Sequence, residues 1–351
     1  MSPADRSCVL RYASGVSISA LLAFGIDWPM SFLATLLTAA FLGNRNPRPN
    51  LKATLGIIIA IAVIFAVGSA ATLYLYPYPA VFLLLFCWCL LLTFYAAARG
   101  TSGFIILLYT LALLLLPLIG GPTPYMAVLL SIGFLKSATA ALVCVHIAHT
   151  LFPGGTLVVE QMPLQTTPRE ASQAAWLSTA VILPFALVCL VFNLSGAVLP
   201  LIIIAMLAQK PDFSAGAAGA KALLVANIGG GLVAIVFFQL LTATPHLGFL
   251  LTGYFLLALL FGQQIFSGKP MAPLYGTAFS TVLVLIGSGT GAFGDQADAK
   301  FFERIGLLLI GVTYLILALS VLQSTHLRDR WMGAGRWIAT RLAQIANRLP
   351  G

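Results

Sequence analysis

Apolar runs of roughly 15–26 residues, each long enough for a helix to cross or nearly cross a bilayer, recur along the whole chain. Few folds are open to such a sequence. Hydrocarbon offers backbone amides no water, so a spanning segment is either a helix or a strand of a closed barrel, and the alternating pattern of barrel strands is missing here. With 60% hydrophobic and only 8% charged residues, the 351-residue chain also lacks the polar surface a water-soluble globule needs. The expected fold is all-α and polytopic.

Gly, Pro and charged residues divide the chain into apolar segments near 12–26, 30–43, 51–76, 79–98, 102–119 and 124–151, then near 173–192, 197–208, 219–243, 247–266, 272–291 and 302–323. These are twelve candidate spans. Charge orients them: of the 18 Lys and Arg residues, all but Lys136, Lys300 and Arg304 fall on one side, which makes that side, and both termini, cytoplasmic. The opposite loops are short and neutral or acidic, as at Asp27-Trp28-Pro29 and Asn193-Leu194-Ser195-Gly196, except around Asp295 and Asp298. The first apolar run follows Arg6 and Arg11 like a signal peptide, but it leads through Asp27 straight into another apolar segment, so no cleavage is expected. The net charge of +9 follows from the positive-inside bias and implies no nucleic-acid partner.

The second half echoes the first. NLKATLG (50–56) lies over GAKALLV (219–225), each placing a basic residue at the opening of a long span, and PLIGG (117–121) lies over LIGSG (285–289). Identity is low; the rhythm of hydropathy and charge carries the match. Six spans per half is an even number, so both halves enter from the cytoplasm, as in transporters built from parallel repeats. The expected organisation is a first six-helix repeat at 1–151, a cytoplasmic linker at 152–172, a second repeat at 173–324 and a tail at 325–351. In the tail, Trp331, Ile338, Leu342 and Ile345 gather on one side of a helix and Arg330, Arg336, Arg341 and Arg348 on the other, the pattern of an interfacial helix on anionic lipid.

Each half opens on its shortest segments. Tyr12 to Ile26 spans roughly 22 Å as a helix, and Leu199 to Ala208 less, against about 30 Å of hydrocarbon. Paired short segments in corresponding places point to a transporter's binding region. Their tips carry Asp27 and Trp28 in one half, Asn193 and Ser195 in the other. If the tips stop within the membrane, they border a pathway, and the N-terminal end of the following helix favours an anion there. Asp27 then carries a proton. The alternative is structural: Asp27 as a helix cap ahead of Pro29, Trp28 at headgroup level, and Arg11 snorkelling. Lys136 lies near the middle of its span, beside a small-residue stripe of Gly133, Ser137 and Ala141. A lysine at that depth meets a wet cavity, a carboxylate, a carbonyl or a bound anion. The pathway candidates are therefore Asp27, Trp28, Lys136, Asn193 and Ser195.

Other chemistry is thin. Cys87 and Cys89 project about 200° apart on a helix and His146 and His149 lack a third ligand, so no disulfide, metal site or cofactor is expected. Asn227-Ile228-Gly229-Gly230-Gly231 reads as a close helix packing surface. No catalytic cluster of acids and histidines stands out, which argues against a lipid-acting membrane enzyme. No G-x-x-x-x-G-K-[ST] run occurs, so this chain hydrolyses no ATP through a P-loop.

Two six-helix units, each with a short hairpin and then a basic loop before a Gly-containing span (Arg48, Lys52, Gly56; Lys210, Lys221, Gly229), resemble the fusaric-acid-resistance and aromatic-acid-exporter superfamily. The run 199–231 is similar to its compact bacterial branch. The resemblance implies an inner-membrane subunit, in a homo-oligomer or alone, exporting small amphipathic or aromatic organic anions with a periplasmic adaptor of the membrane-fusion type. Larger exporters carry a cytoplasmic domain where this chain has only the linker 152–172. A passive channel or permease on the same repeat is the competing expectation.

Overall fold

The computed structural model describes residues 3–44, 48–101, 103–121, 123–153, 167–194, 201, 213–269, 271–290, 313–314 and 317. Among them helix is the only regular secondary structure. The helices are α1 (Pro3–Ile26), α2 (Phe32–Leu42), α3 (Leu51–Leu75), α4 (Pro79–Ala98), α5 (Gly103–Gly120), α6 (Pro124–Leu151), α7 (Pro168–Val191), α8 (Phe213–Ala243), α9 (Leu247–Ile265) and α10 (Ala272–Thr290). Seven described helices are long and apolar enough to cross a membrane, and α2, α5 and α10 are shorter. The protein is a polytopic helical membrane protein.

Proline sets several boundaries. Pro79, Pro124 and Pro168 sit in the first turns of α4, α6 and α7, where a missing N–H is not needed. At α7 a capping box adds to this: Thr167 Oγ1 accepts from the Glu170 amide, and the Glu170 carboxylate accepts from the Thr167 amide. Apolar side chains remain on the outside, as lipid contact requires. Leu51, Leu55, Ile59, Val63 and Val67 of α3 are all exposed at four-residue spacing, a stripe that would precipitate a soluble protein and suits one in a bilayer.

One expectation needs correction. The first span does not begin at Tyr12: α1 continues back to Pro3, and its apolar stretch counts from Asp5. A helix needs backbone hydrogen bonds, not apolar side chains, and Arg6 and Arg11 are good helix formers. The first hairpin is thus lopsided, with 24 residues in α1 and 11 in α2. Arg11 does not snorkel either; it is buried, at 2% exposure. The segments expected at 197–208 and 302–323, the linker interior and the amphipathic tail lie outside the described residues, apart from Leu201, Thr313, Tyr314 and Leu317.

The chain forms two compact units, each drawing on both halves of the sequence. The first holds residues 1–70, 123–161 and 221–306. In it α1 is central, packing against α2, α6 and α9. Tyr12 of α1 meets Phe266 and Phe279 at ring-centroid distances of 5.9 and 5.8 Å, within a core that includes Phe237 and Tyr254. α3 lies along α6 through stacked Phe65 and Phe134 at 4.2 Å, a Ser69–Ser131 hydroxyl pair, and Thr54 Oγ1 within 2.8 Å of His146 Nε2. α8 crosses α10 where Gly230 abuts the Ala278 backbone and Thr281 donates to Asn227 Oδ1 at 2.8 Å.

The second unit holds residues 71–122, 162–220 and 307–351. Phe82, Phe86, Leu90 and Phe94 form the buried stripe of α4 and pack with Val181, Ile182 and Cys189 of α7. Trp88 and Leu92, on the opposite side, are exposed. The four-residue period of the buried set and the offset of the exposed set are what a helix with one protein-facing and one lipid-facing side produces.

Candidate functional site

The apolar run of α1 ends at Ile26, and the chain reverses over Asp27 to Ser31 before α2 begins. The Asp27 amide still bonds Ala23 O at 3.1 Å, after which the backbone turns left-handed, with φ 48° at Asp27 and 62° at Met30. Asp tolerates that region better than most residues; methionine does not. The Ser31 amide closes the turn on Trp28 O at 2.9 Å.

What holds Met30 in an unfavourable conformation is α6. Ser137 uses its hydroxyl twice: it accepts from Trp28 Nε1 at 2.9 Å and donates to Met30 O at 3.0 Å. One turn earlier, Gly133 leaves space for Pro29, whose carbonyl oxygen lies 2.6 Å from where a Cβ would stand. The stripe of small residues on α6 is thus the seat of the hairpin tip.

Its height along α6 matters most. Gly133 and Ser137 lie 9 and 13 residues from Pro124, or roughly 14 and 20 Å along a helix about 42 Å long. A membrane is about 30 Å thick at its hydrocarbon core. With α6 spanning, the tip sits within the core, and α2, roughly 16 Å long, reaches only part-way across. Ser31 makes no side-chain cap; the amides of Ser31, Leu33 and Ala34 bond the carbonyls of Trp28, Met30 and Ser31 instead.

Asp27 is exposed at the tip, Trp28 is half-buried beneath it, and Lys136 is exposed on α6, 100° around the helix from Ser137. The Trp28–Ser137 bond joins the tip to α6 across 109 residues, and Asp27 and Lys136 each stand one residue from a bonded partner. Asn193 belongs to the second unit and has a clear local duty. The Leu194 amide bonds Cys189 O at 2.9 Å, the Asn193 amide approaches Leu190 O at 3.4 Å, and Asn193 takes φ 51°: this is a Schellman cap on α7. Gly100, with φ 86°, does the same for α4, where the Thr101 amide bonds Ala96 O at 3.1 Å. Ser195 lies outside the described residues. Asn193→Gly is accordingly expected to leave stability unchanged within about 0.5 kcal/mol, whereas Asn193→Val costs about 1–2 kcal/mol from the left-handed backbone. Equal unfolding of the two variants in SDS titrations would remove this account of Asn193.

Residues 8–149 match a family described as "Protein of unknown function (DUF2955)". That stretch runs from α1 to α6 and contains both the hairpin and its seat. No curated protein and no solved structure matches the chain.

Among the described residues no three or more His, Cys, Asp or Glu side chains gather as metal ligands would. His146 instead pairs with Thr54, and His149 Nδ1 lies 3.0 Å from Val145 O. Sequence reasoning picked out Ser137 and Gly133 for helix packing but not as the clamp on Trp28, Pro29 and Met30. A helix-spaced small-residue stripe facing an unassigned turn was the available signal.

Proposed function

We propose that this protein is a gradient-driven exporter subunit of the bacterial inner membrane, moving small amphipathic or aromatic organic anions outward in company with a periplasmic adaptor protein. The reading takes twelve spans in two like-oriented repeats, with both termini cytoplasmic, from the charge asymmetry of the loops. One observation carries it above the alternatives: a carboxylate-bearing hairpin tip seated on the middle of α6 at Ser137, the residue that follows Lys136. Ionisable groups at that depth have a task in most membrane proteins. In this mechanism Lys136 and the positive N-terminal end of α2 attract the anion, Trp28 lies against its apolar part, and Asp27 carries the coupling proton. Asn193 and Ser195 border the equivalent place in the second repeat. The adaptor follows from the resemblance to aromatic-acid exporters.

Proteoliposomes with an imposed proton gradient test this, using labelled benzoate as the transported anion. The wild type is expected to accumulate benzoate against its own gradient, and Asp27→Asn to lose at least about tenfold of the uphill rate. Lys136→Gln raises the half-saturating benzoate concentration. Uphill transport that survives Asp27→Asn unchanged defeats the mechanism, and flux that only ever follows the solute's own gradient makes the protein a channel.

A further inference from the structure

Arg11 is the most deeply buried charged side chain of the described residues, at 2% exposure, and the mechanism above does not use it. Guanidinium groups stay charged in proteins and carry five N–H donors. Here Nη2 reaches the Cys8 sulfur at 3.3 Å, a weak acceptor, and Nη1 is buried with no hydrogen-bond partner at all. A buried charge without a counter-charge is among the least favourable arrangements a protein can hold.

The described carboxylates of this unit do not supply the missing charge. Asp27 is sixteen residues along α1, roughly 24 Å away, and Asp5 is six residues back, about 120° around the helix. One turn beyond Arg11, Gly15 faces Ala148 of α6 together with Leu42 and Thr38 of α2. Arg11 therefore stands where α2, ending at Leu42, and α6, ending at Leu151, both run out beside α1. Further up the same seam, one turn before Thr38, Thr35 is 1% exposed and its hydroxyl is likewise without a partner. Thr35 is too far along the seam to share a ligand with Arg11, so the unused Nη1 donors are what mark this end as a place built for an acceptor.

We propose that Arg11 anchors a site for one small oxyanion, a carboxylate or a phosphate, at the end of the α1–α2–α6 seam remote from Asp27. The oxyanion takes the fork of Nη1 and Nη2 in the bidentate manner that guanidinium groups favour. Either a soluble anion or the phosphate of an anionic lipid has this chemistry. The site is independent of proton coupling at the tip, so Asp27→Asn leaves it intact.

Thermal unfolding of the full chain in nanodiscs tests the proposal in two arms. In phosphatidylcholine discs, benzoate or inorganic phosphate is added; in the other arm, phosphatidylglycerol replaces part of the phosphatidylcholine with no added anion. In at least one arm the wild type is expected to gain several degrees. Arg11→Met loses that gain while being at least as stable as the wild type without anion, and Arg11→Lys keeps the charge but binds at least about tenfold more weakly. A gain in the first arm identifies a soluble anion and in the second a lipid. If Arg11→Met does not fold, Arg11→Lys decides alone. Stabilisation by all three probes that is equal in the wild type and in the folded variants, or no stabilisation in either arm, overturns the site.

Discussion

Gly133→Val is expected to unseat the α1–α2 tip and to unfold the first unit at SDS fractions the wild type survives. A Cβ at this position would lie 2.6 Å from Pro29 O, whereas a carbon and a carbonyl oxygen settle at about 3.3–3.6 Å. The obstacle is backbone, so no side chain can swing away. Either the turn or α6 has to shift by most of an ångström, and then Ser137 can no longer reach Trp28 Nε1 and Met30 O together. Overpacking of about 1–3 kcal/mol and two hydrogen bonds of about 1 kcal/mol each set the cost at about 3–5 kcal/mol. Gly25→Ala makes a fair control, since nothing lies within 4 Å of its Cβ position. Should Gly133→Val unfold with the wild type, α6 is not what holds the tip.

Two adjacent glycines of α8 should behave oppositely. Alanine at Gly230 would bring its Cβ against the Ala278 oxygen, with the Ala278 carbonyl carbon 2.9 Å away, while at Gly229 nothing lies within 4 Å. Gly230→Ala separates α8 from α10 and strains the Thr281–Asn227 bond one turn away, a loss of about 2–4 kcal/mol. Gly229→Ala is neutral or stabilising by up to about 1 kcal/mol, because alanine has the higher helix propensity. The comparison needs only two SDS unfolding curves. Matching midpoints for the two variants would mean that this close crossing is not a feature of the folded protein.

Membership of the membrane and the positions of most helices were readable from the chain because they depend on near neighbours. Pro79 and Pro124 punctuate it where α4 and α6 begin, whereas α7 starts at Pro168, inside the stretch expected as linker. Charge marks the edge of the apolar stretch and not of the helix, so the expected start at Tyr12 falls short of the real one at Pro3. The site divides in the same way. Asp27 and Lys136 stand out as lone ionisable groups in apolar surroundings, which is a local property. That the residues beside them meet depends on Ser137 bonding a tryptophan 109 residues earlier, and no spacing rule reaches so far. Asn193 stood out for its place at a loop tip, while its φ of 51° gives it the structural duty that glycine performs at position 100. Arg11 followed the positive-inside bias like its neighbours, and nothing in its flanks distinguishes a side chain that is buried from one that reaches the headgroups.

Because α1 is one unbroken helix, the rings around Tyr12 and the carboxylate of Asp27 are joined by a single rod, about 22 Å apart. Phe266, just past α9, and Phe279 of α10 grip that rod from the side near its beginning. A motion that tilts or slides α9 or α10 must therefore either drag the tip along with it or let go at Tyr12. Levers of this kind turn a small displacement of packed aromatic rings into a change of exposure far away, without any new contact being made at the far end.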